Sequence, residues 1–132
     1  MAVPSNVPVF TQGIRSVQTQ VTTANTNRDG TTGAYSSSLA VGALGSLING
    51  IVFQAIVTTA VGLLRIFYAP DGTNFRLIAE VPTTGATISG TVAGENHVWV
   101  PPYKFLTPTS ALFKFNVNNA ETWNIVLNGE DY

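Results

Sequence analysis

The stretch VGLLRIFYAPDGTNFRLIAEV, residues 61–81, decides the fold class of this chain. Two apolar segments flank APDGT, where Pro70 presets a turn dihedral and Gly72 accepts a positive φ, so the stretch predicts a β-hairpin. The alternation of the second segment places one set of side chains on a single face: Phe75, Leu77, Ala79 and Val81. Such alternation indicates that one face of the strand packs on a core.

The preceding segments extend this pattern. The segment IRSVQTQVTT, within residues 13–23, alternates weakly and is rich in β-branched residues, which predicts a partly exposed strand. Turn-forming residues then predict a loop around residues 25–33. Residues 51–59 (IVFQAIVTT) are apolar on both faces, which indicates burial between two layers or against a neighbouring subunit.

The remaining segments also predict short strands. Pro82 is expected to end the second hairpin strand, with a short strand at residues 87–92 and an apolar segment at 97–100. Residues 111–117 and 123–127 alternate clearly on either side of an Asn-Asn turn and predict a terminal hairpin. Seven to eight short strands, with one ambiguous helical pattern at residues 39–48, predict an all-β fold, either a β-sandwich or a jelly-roll-like barrel.

The first twelve residues differ from the rest. Pro4 and Pro8 favour an extended segment, so we expect an N-terminal arm over residues 1–12 and a single β-sandwich domain over residues 13–132. The arm carries Val9 and Phe10, which we expect to become buried when it orders on a partner. The predicted protein–protein contacts are Val9, Phe10, Ile51, Phe53 and Trp99.

Composition limits the classes of partner. The chain has 132 residues, of which 45% are hydrophobic and only 10% charged, and its net charge is -1. Ordinary soluble domains carry about 25% charged residues, so we infer that neighbours cover part of this surface. No basic field is available for nucleic acid. Residues 39–64 are uncharged but contain polar side chains and glycines, so we predict buried strands and not a membrane span.

No pattern in the sequence indicates catalysis. Cysteine is absent and His97 is the sole histidine, which excludes a conventional zinc site within one chain. The acidic residues are scattered over turns and strand ends, and no nucleotide-binding or nucleophile motif occurs. We therefore predict that the protein is not an enzyme and has no catalytic residue, cofactor or metal.

Three segments carry a family resemblance. GLLRIFYAPDGTNFRLIAEVP (residues 62–82) and ETWNIVLNGEDY (residues 121–132) resemble a hairpin and a closing strand of small tailed-phage and prophage virion proteins, and PVFTQ (residues 8–12) is similar to their beginning. These motifs are structural. Two departures from the pattern are Pro70 at the hairpin tip and Glu130, where a glycine is common.

The resemblance implies a bacteriophage structural role. The expected function is a capsid decoration (cement) or minor head protein that binds the major capsid protein, within a virion assembled in the bacterial host cytoplasm. We expect a symmetric homo-oligomer, and threefold axes of a shell suggest a trimer. The alternatives are a neck or tail component, a carbohydrate- or host-binding β-module and, lower in rank, a membrane-active lysis protein.

Overall fold

Two antiparallel sheets packed face to face make up the part of the chain that the computed structural model describes, residues 13–132. This part contains nine strands and no helix. The strands are β1 Gly13–Val21, β2 Leu39–Ala40, β3 Ser46–Ala55, β4 Thr59–Ala69, β5 Arg76–Ala86, β6 Asn96–Trp99, β7 Phe105–Leu106, β8 Leu112–Val117 and β9 Trp123–Asp131. The all-β sandwich prediction is confirmed.

Each sheet mixes strands from distant parts of the chain. Sheet A has the order β1-β9-β3-β6, with β7 also paired to β3, and sheet B has the order β2-β8-β4-β5. The inward side chains of both sheets form one core. Its largest fully buried members include Trp123, Phe53, Phe113, Phe115 and Ile51. Their burial removes apolar surface from water and is the main stabilising term of the fold.

The predicted central hairpin is confirmed as β4 and β5. Gly72 has a φ of 74° and donates from its N–H to Ala69 O at 3.1 Å. The Asp71 carboxylate accepts from the N–H groups of Thr73 and Asn74 at 2.9 and 2.8 Å, which fixes the turn.

A bulge changes which β5 side chains share a face. The register with β4 shifts between Ile66 and Phe67. Ala79 and Val81 pack against the core. Leu77 instead pairs with Phe67, whose side chain faces away from the core. The prediction that residues 75, 77, 79 and 81 lie on one face was therefore wrong, because a bulge shifts the alternation by one residue.

Pro82 does not end its strand, contrary to the prediction. It lies within β5, opposite Leu63. Because β5 is at the edge of sheet B, a residue without an N–H donor is tolerated there. The strand predicted at residues 87–92 is irregular. The ambiguous stretch at 39–48 contains no helix: it comprises β2, a segment at 41–45 outside the strands and the start of β3.

The predicted terminal hairpin was also wrong. β8 pairs with β2 and β4 in sheet B, whereas β9 pairs with β1 and β3 in sheet A. The Asn118-Asn119 region carries the chain across the sandwich from one sheet to the other. Both strands still turn their apolar faces inward, and their alternation is therefore correct although their pairing is not.

A polar loop covers the outer face of sheet B. Asn25 Nδ2 donates to the carbonyl oxygens of Thr32 at 3.0 Å and Ala34 at 2.8 Å, and its Oδ1 accepts from Asn27 N at 3.0 Å. The ring of Tyr35, farther along the loop, packs edge-on against Phe67 with centroids 5.2 Å apart. This covering explains why the outward-facing Phe67 is fully buried.

Candidate interaction surface

The outer face of sheet A, which we call the open face, lies opposite the core. Its side chains come from every strand of the sheet: Ile14, Ser16, Gln18, Gln20, Leu47, Val52, Gln54, Asn96, Val98, Leu106, Asn124, Val126, Asn128 and Glu130. Glu130 is the one charged member of this set. Charged side chains are depleted where proteins bury surface against each other, so this composition is typical of an interface.

Cross-strand pairing organises the open face into rows. One row contains Gln20, Asn124, Gln54 and Asn96, in which Gln20 donates to Asn124 at 2.7 Å and Asn96 donates to Gln54 at 3.0 Å. The adjacent row runs from Gln18 through Val126 and Val52 to Val98. The amides hold one another in fixed orientations, which lowers the entropy lost when a partner binds.

The two outer faces of the sandwich therefore differ. Arg65, on the outer side of β4, is 1% exposed because the loop lies over it. Its guanidinium donates to Glu80 Oε2 at 3.0 Å, Asn25 O at 3.2 Å and Asn118 Oδ1 at 3.0 Å. Burial raises the pKa of Glu80, but the hydrogen bonds and charges of Arg28 and Arg65 outweigh it and lower the pKa. The charges of Arg65 and Glu80 on this face are thus paired within the chain.

The sequence prediction missed the role of Arg65. The available signal was a single cation inside the apolar run VGLLRIFY, and buried charges require partners. Its partners come from positions 25, 80, 116 and 118, which only the fold brings together.

His97 lies beside a buried carboxylate. Its Nε2 is 2.5 Å from Glu95 Oε2, and Glu95 also accepts from Thr59 Oγ1 at 2.7 Å and from the N–H groups of Thr84 and Gly85 at 2.9 and 3.0 Å. Burial raises the pKa of Glu95, but these hydrogen bonds outweigh it and lower the pKa to about 2.

The hydrogen bonds of this cluster have a structural role, because they hold neighbouring segments of the chain together. Thr59 Oγ1 donates to Glu95 and accepts from Ala86 N at 3.0 Å, so its hydroxyl is already engaged on both sides. Glu121, a second buried carboxylate, accepts from Ala60 N at 2.6 Å and from Trp123 Nε1 at 3.2 Å. Within residues 13–132 no group of three His, Cys, Asp or Glu side chains is placed to hold a metal ion.

The five predicted contact residues differ in where they lie. Val9 and Phe10 lie outside the described residues. Ile51 and Phe53 are fully buried between the sheets, so the prediction that they form a subunit contact is corrected. The core of the same chain covers their inward side chains. Trp99 is half-buried against the core, where its ring meets Phe105 at 6.4 Å.

Tyr103 is an aromatic residue whose side chain is mostly exposed beside a loop. Tyr103 is 70% exposed and stacks on Phe105 with ring centroids 6.3 Å apart and planes 16° apart. It borders a shallow pocket of about 330 Å³ whose lining also includes Tyr68, Ile78 and Lys104. The two tryptophans do not extend this platform, because Trp123 is fully buried and Trp99 packs on the core.

No protein-family model matches the chain, and no curated protein matches it significantly. Residues 13–132 contain no helix of the length and hydrophobicity needed to span a bilayer.

Proposed function

We propose that this chain is a structural protein of a tailed-phage virion, a capsid decoration (cement) or minor head protein that binds and stabilises the major capsid shell. The observation that carries the binding role is the open face, whose described side chains include a single charge. The virion assignment rests on the resemblance of residues 62–82 and 121–132 to phage structural proteins.

The open face suits contact with protein more than with nucleic acid or membrane. Amide and hydroxyl side chains can donate and accept hydrogen bonds, and the row of valines supplies apolar area. The net charge of -1 gives no attraction to phosphate. The proposed partners are therefore the major capsid protein or another virion protein, together with further copies of this chain.

We also propose that the protein is not an enzyme. The two buried glutamates accept hydrogen bonds that hold the fold together, and such fully engaged groups are poorly suited to transfer protons. Replacing His97 with Ala is expected to leave any hydrolytic activity of the particle unchanged. A specific loss of such activity, with assembly intact, would contradict this part of the proposal.

The main test separates phage heads from tails and measures which substructure retains the protein. Retention on heads supports a decoration or minor head role, and retention on tails supports the neck or tail alternative. Absence from purified particles would overturn the virion assignment.

A binding experiment tests the open face itself. Asn124→Lys with Asn128→Lys places two charges on its central strand and should weaken binding to shells that lack the protein by tenfold or more. The matched control is Thr26→Lys with Thr31→Lys, which adds the same charge to exposed positions of the loop over sheet B. Equal binding by both variants would exclude the open face as the docking surface.

A carbohydrate- or host-binding module is the second candidate. The observation that favours it is the exposed Tyr103 beside its pocket, since aromatic rings commonly stack on ligands in such sites. Tyr103→Ala should then abolish binding to immobilised host-surface glycans. A wild-type protein that binds no glycan would eliminate this candidate.

A further inference from the structure

The four sheet edges of the sandwich are protected to very different degrees. A free strand edge is a template for pairing with another chain, and proteins commonly block it with proline, charge, bulges or short length. β5 carries Pro82, a bulge and the charged residues Arg76 and Glu80. β2 has two residues, and β6 has four residues and is soon followed by Pro101 and Pro102.

β1 has none of these protections. It is nine residues long and pairs with β9 without any register shift from Gly13 to Val21. It contains no proline, and its one charge, Arg15, is engaged by Asp131 through two hydrogen bonds of 3.1 and 2.8 Å. Within residues 13–132, no backbone hydrogen bond is made by the side of β1 that faces away from β9.

A groove runs along this unprotected edge. Its walls come from β1 and from the chain around β2, including Val17, Gln18, Ser38 and Leu39, and its volume is about 540 Å³. The groove therefore offers room beside β1, and its lining combines apolar side chains, such as Val17 and Leu39, with polar ones, such as Gln18 and Ser38. A strand added there could form backbone hydrogen bonds with β1 and side-chain contacts with the groove.

We propose that β1 pairs antiparallel with β1 of a second copy of this chain, which joins two sheets A into one continuous sheet. This inference rests on the self-association included in the proposed function, but not on the phage assignment. Pairing centred on Val17 would place Ser16 opposite Gln18 and Arg15 opposite Thr19 of the second copy. No like charges meet, and the hydroxyl and amide groups can act as both donor and acceptor.

The symmetry of this contact is informative. Two identical antiparallel strands are related by a twofold axis, so the expected particle is a dimer with twice the 14.0 kDa mass of the chain. A trimer, suggested by shell axes alone, would require a different contact. The pairing also extends the open face across both copies, so that one continuous surface meets the shell.

Mass measurement of the full chain by light scattering and sedimentation tests the proposal. The wild type should be dimeric, and Ser16→Lys with Gln18→Lys should raise the dissociation constant by tenfold or more, since lysines then face each other along the edge. The matched control, Asn96→Lys with Val98→Lys, adds the same charge at the opposite edge of sheet A and should leave the dimer intact.

Cross-linking supplies a readout that does not depend on charge. Because the chain contains no cysteine, a single introduced cysteine forms a disulfide only between copies. Cysteines placed singly at positions 16–19 should give a rapid covalent dimer at the position nearest the twofold axis, where the Cβ atoms approach closely enough. A cysteine in place of Asn96 should not form a covalent dimer rapidly.

The outcomes separate this proposal from the proposed function. A trimer unaffected by the β1 lysines, or a monomer, overturns the β1 pairing while shell binding remains testable. A wild-type monomer that associates once residues 2–12 are deleted would show that the chain's own first residues occupy the edge. A β1 dimer that binds neither heads nor tails would support the pairing and contradict the virion role.

Discussion

Glu95 and His97 form a 2.5 Å contact between Oε2 and Nε2 at the end of the sandwich where the two sheets are joined. Glu95 immediately precedes β6 of sheet A, while its other partners, Thr59, Thr84 and Gly85, belong to β4 and β5 of sheet B. One buried carboxylate thus ties the sheets together with four hydrogen bonds.

The hydrogen bonds of Glu95 predict that the stability of the fold depends on pH. Glu95 has a pKa of about 2 in the folded chain against an ordinary value of 4.5. Its ionised form therefore stabilises the fold above pH 4.5, and this contribution, at most about 3 kcal/mol, is lost as the pH falls towards 2. Urea unfolding between pH 2.5 and 6 should show a steeper loss for the wild type than for Glu95→Gln. Parallel curves would contradict the assignment.

The loop over sheet B should depend on Asn25. Asn25→Ala removes the hydrogen bonds to Thr32 O and Ala34 O and should lower the free energy of unfolding by about 1–3 kcal/mol. Amide hydrogen exchange should rise within residues 25–36. Thr26→Ala is the control, because Thr26 is exposed on the same loop. Equal exchange in both variants would show that Asn25 does not hold the loop.

The central hairpin should be sensitive at Gly72. Its φ of 74° disfavours any side chain, and a Cβ atom there would lie 2.6 Å from the backbone oxygen of Ser110. Gly72→Ala is expected to cost about 1–3 kcal/mol in thermal or urea unfolding. Gly90→Ala, where a Cβ would meet nothing within 4 Å, should change stability by less than about 0.5 kcal/mol. Similar losses at both sites would argue against strain at the turn.

Phe53 should behave as a core residue and not as a contact residue. Phe53→Ala leaves a cavity between the sheets and should lower the free energy of unfolding by about 3–5 kcal/mol. Val98→Ala, on the exposed side of β6, should cost far less. If Phe53→Ala weakened self-association while stability stayed unchanged, the placement of Phe53 would be wrong.

The sequence predicted individual strands better than their partners. The turn chemistry of Asp71 and Gly72 acts locally, so the β4–β5 hairpin could be predicted from its residues. The pairing of β8 and β9 could not, because alternation reveals that a strand has an inward face but not which sheet it joins. Similarly, the bulge at Ile78 of β5, opposite Ile66 and Phe67, leaves no local signature, yet it decides where Leu77 lies.

The candidate surface was still harder to predict. Residues 51–59 are apolar on both faces, and this pattern fits a core strand and an interface strand equally well. The open face emerges only when β1, β3, β6 and β9 are placed side by side. Its separate members, such as Gln18, Asn124 and Asn96, are ordinary exposed polar residues in the sequence.

The position of β9 has a consequence for synthesis of the protein. β9 is the last of the described strands, yet it lies between β1 and β3 and joins them, with Gly13 paired to Asp131. During translation, β1 therefore cannot pair with β9 until almost the whole domain has been synthesised. Contacts this distant in sequence form slowly, and unpaired strands invite association with other nascent chains. We expect the sandwich to close only after β9 has left the exit tunnel, which makes chaperone protection valuable during that interval.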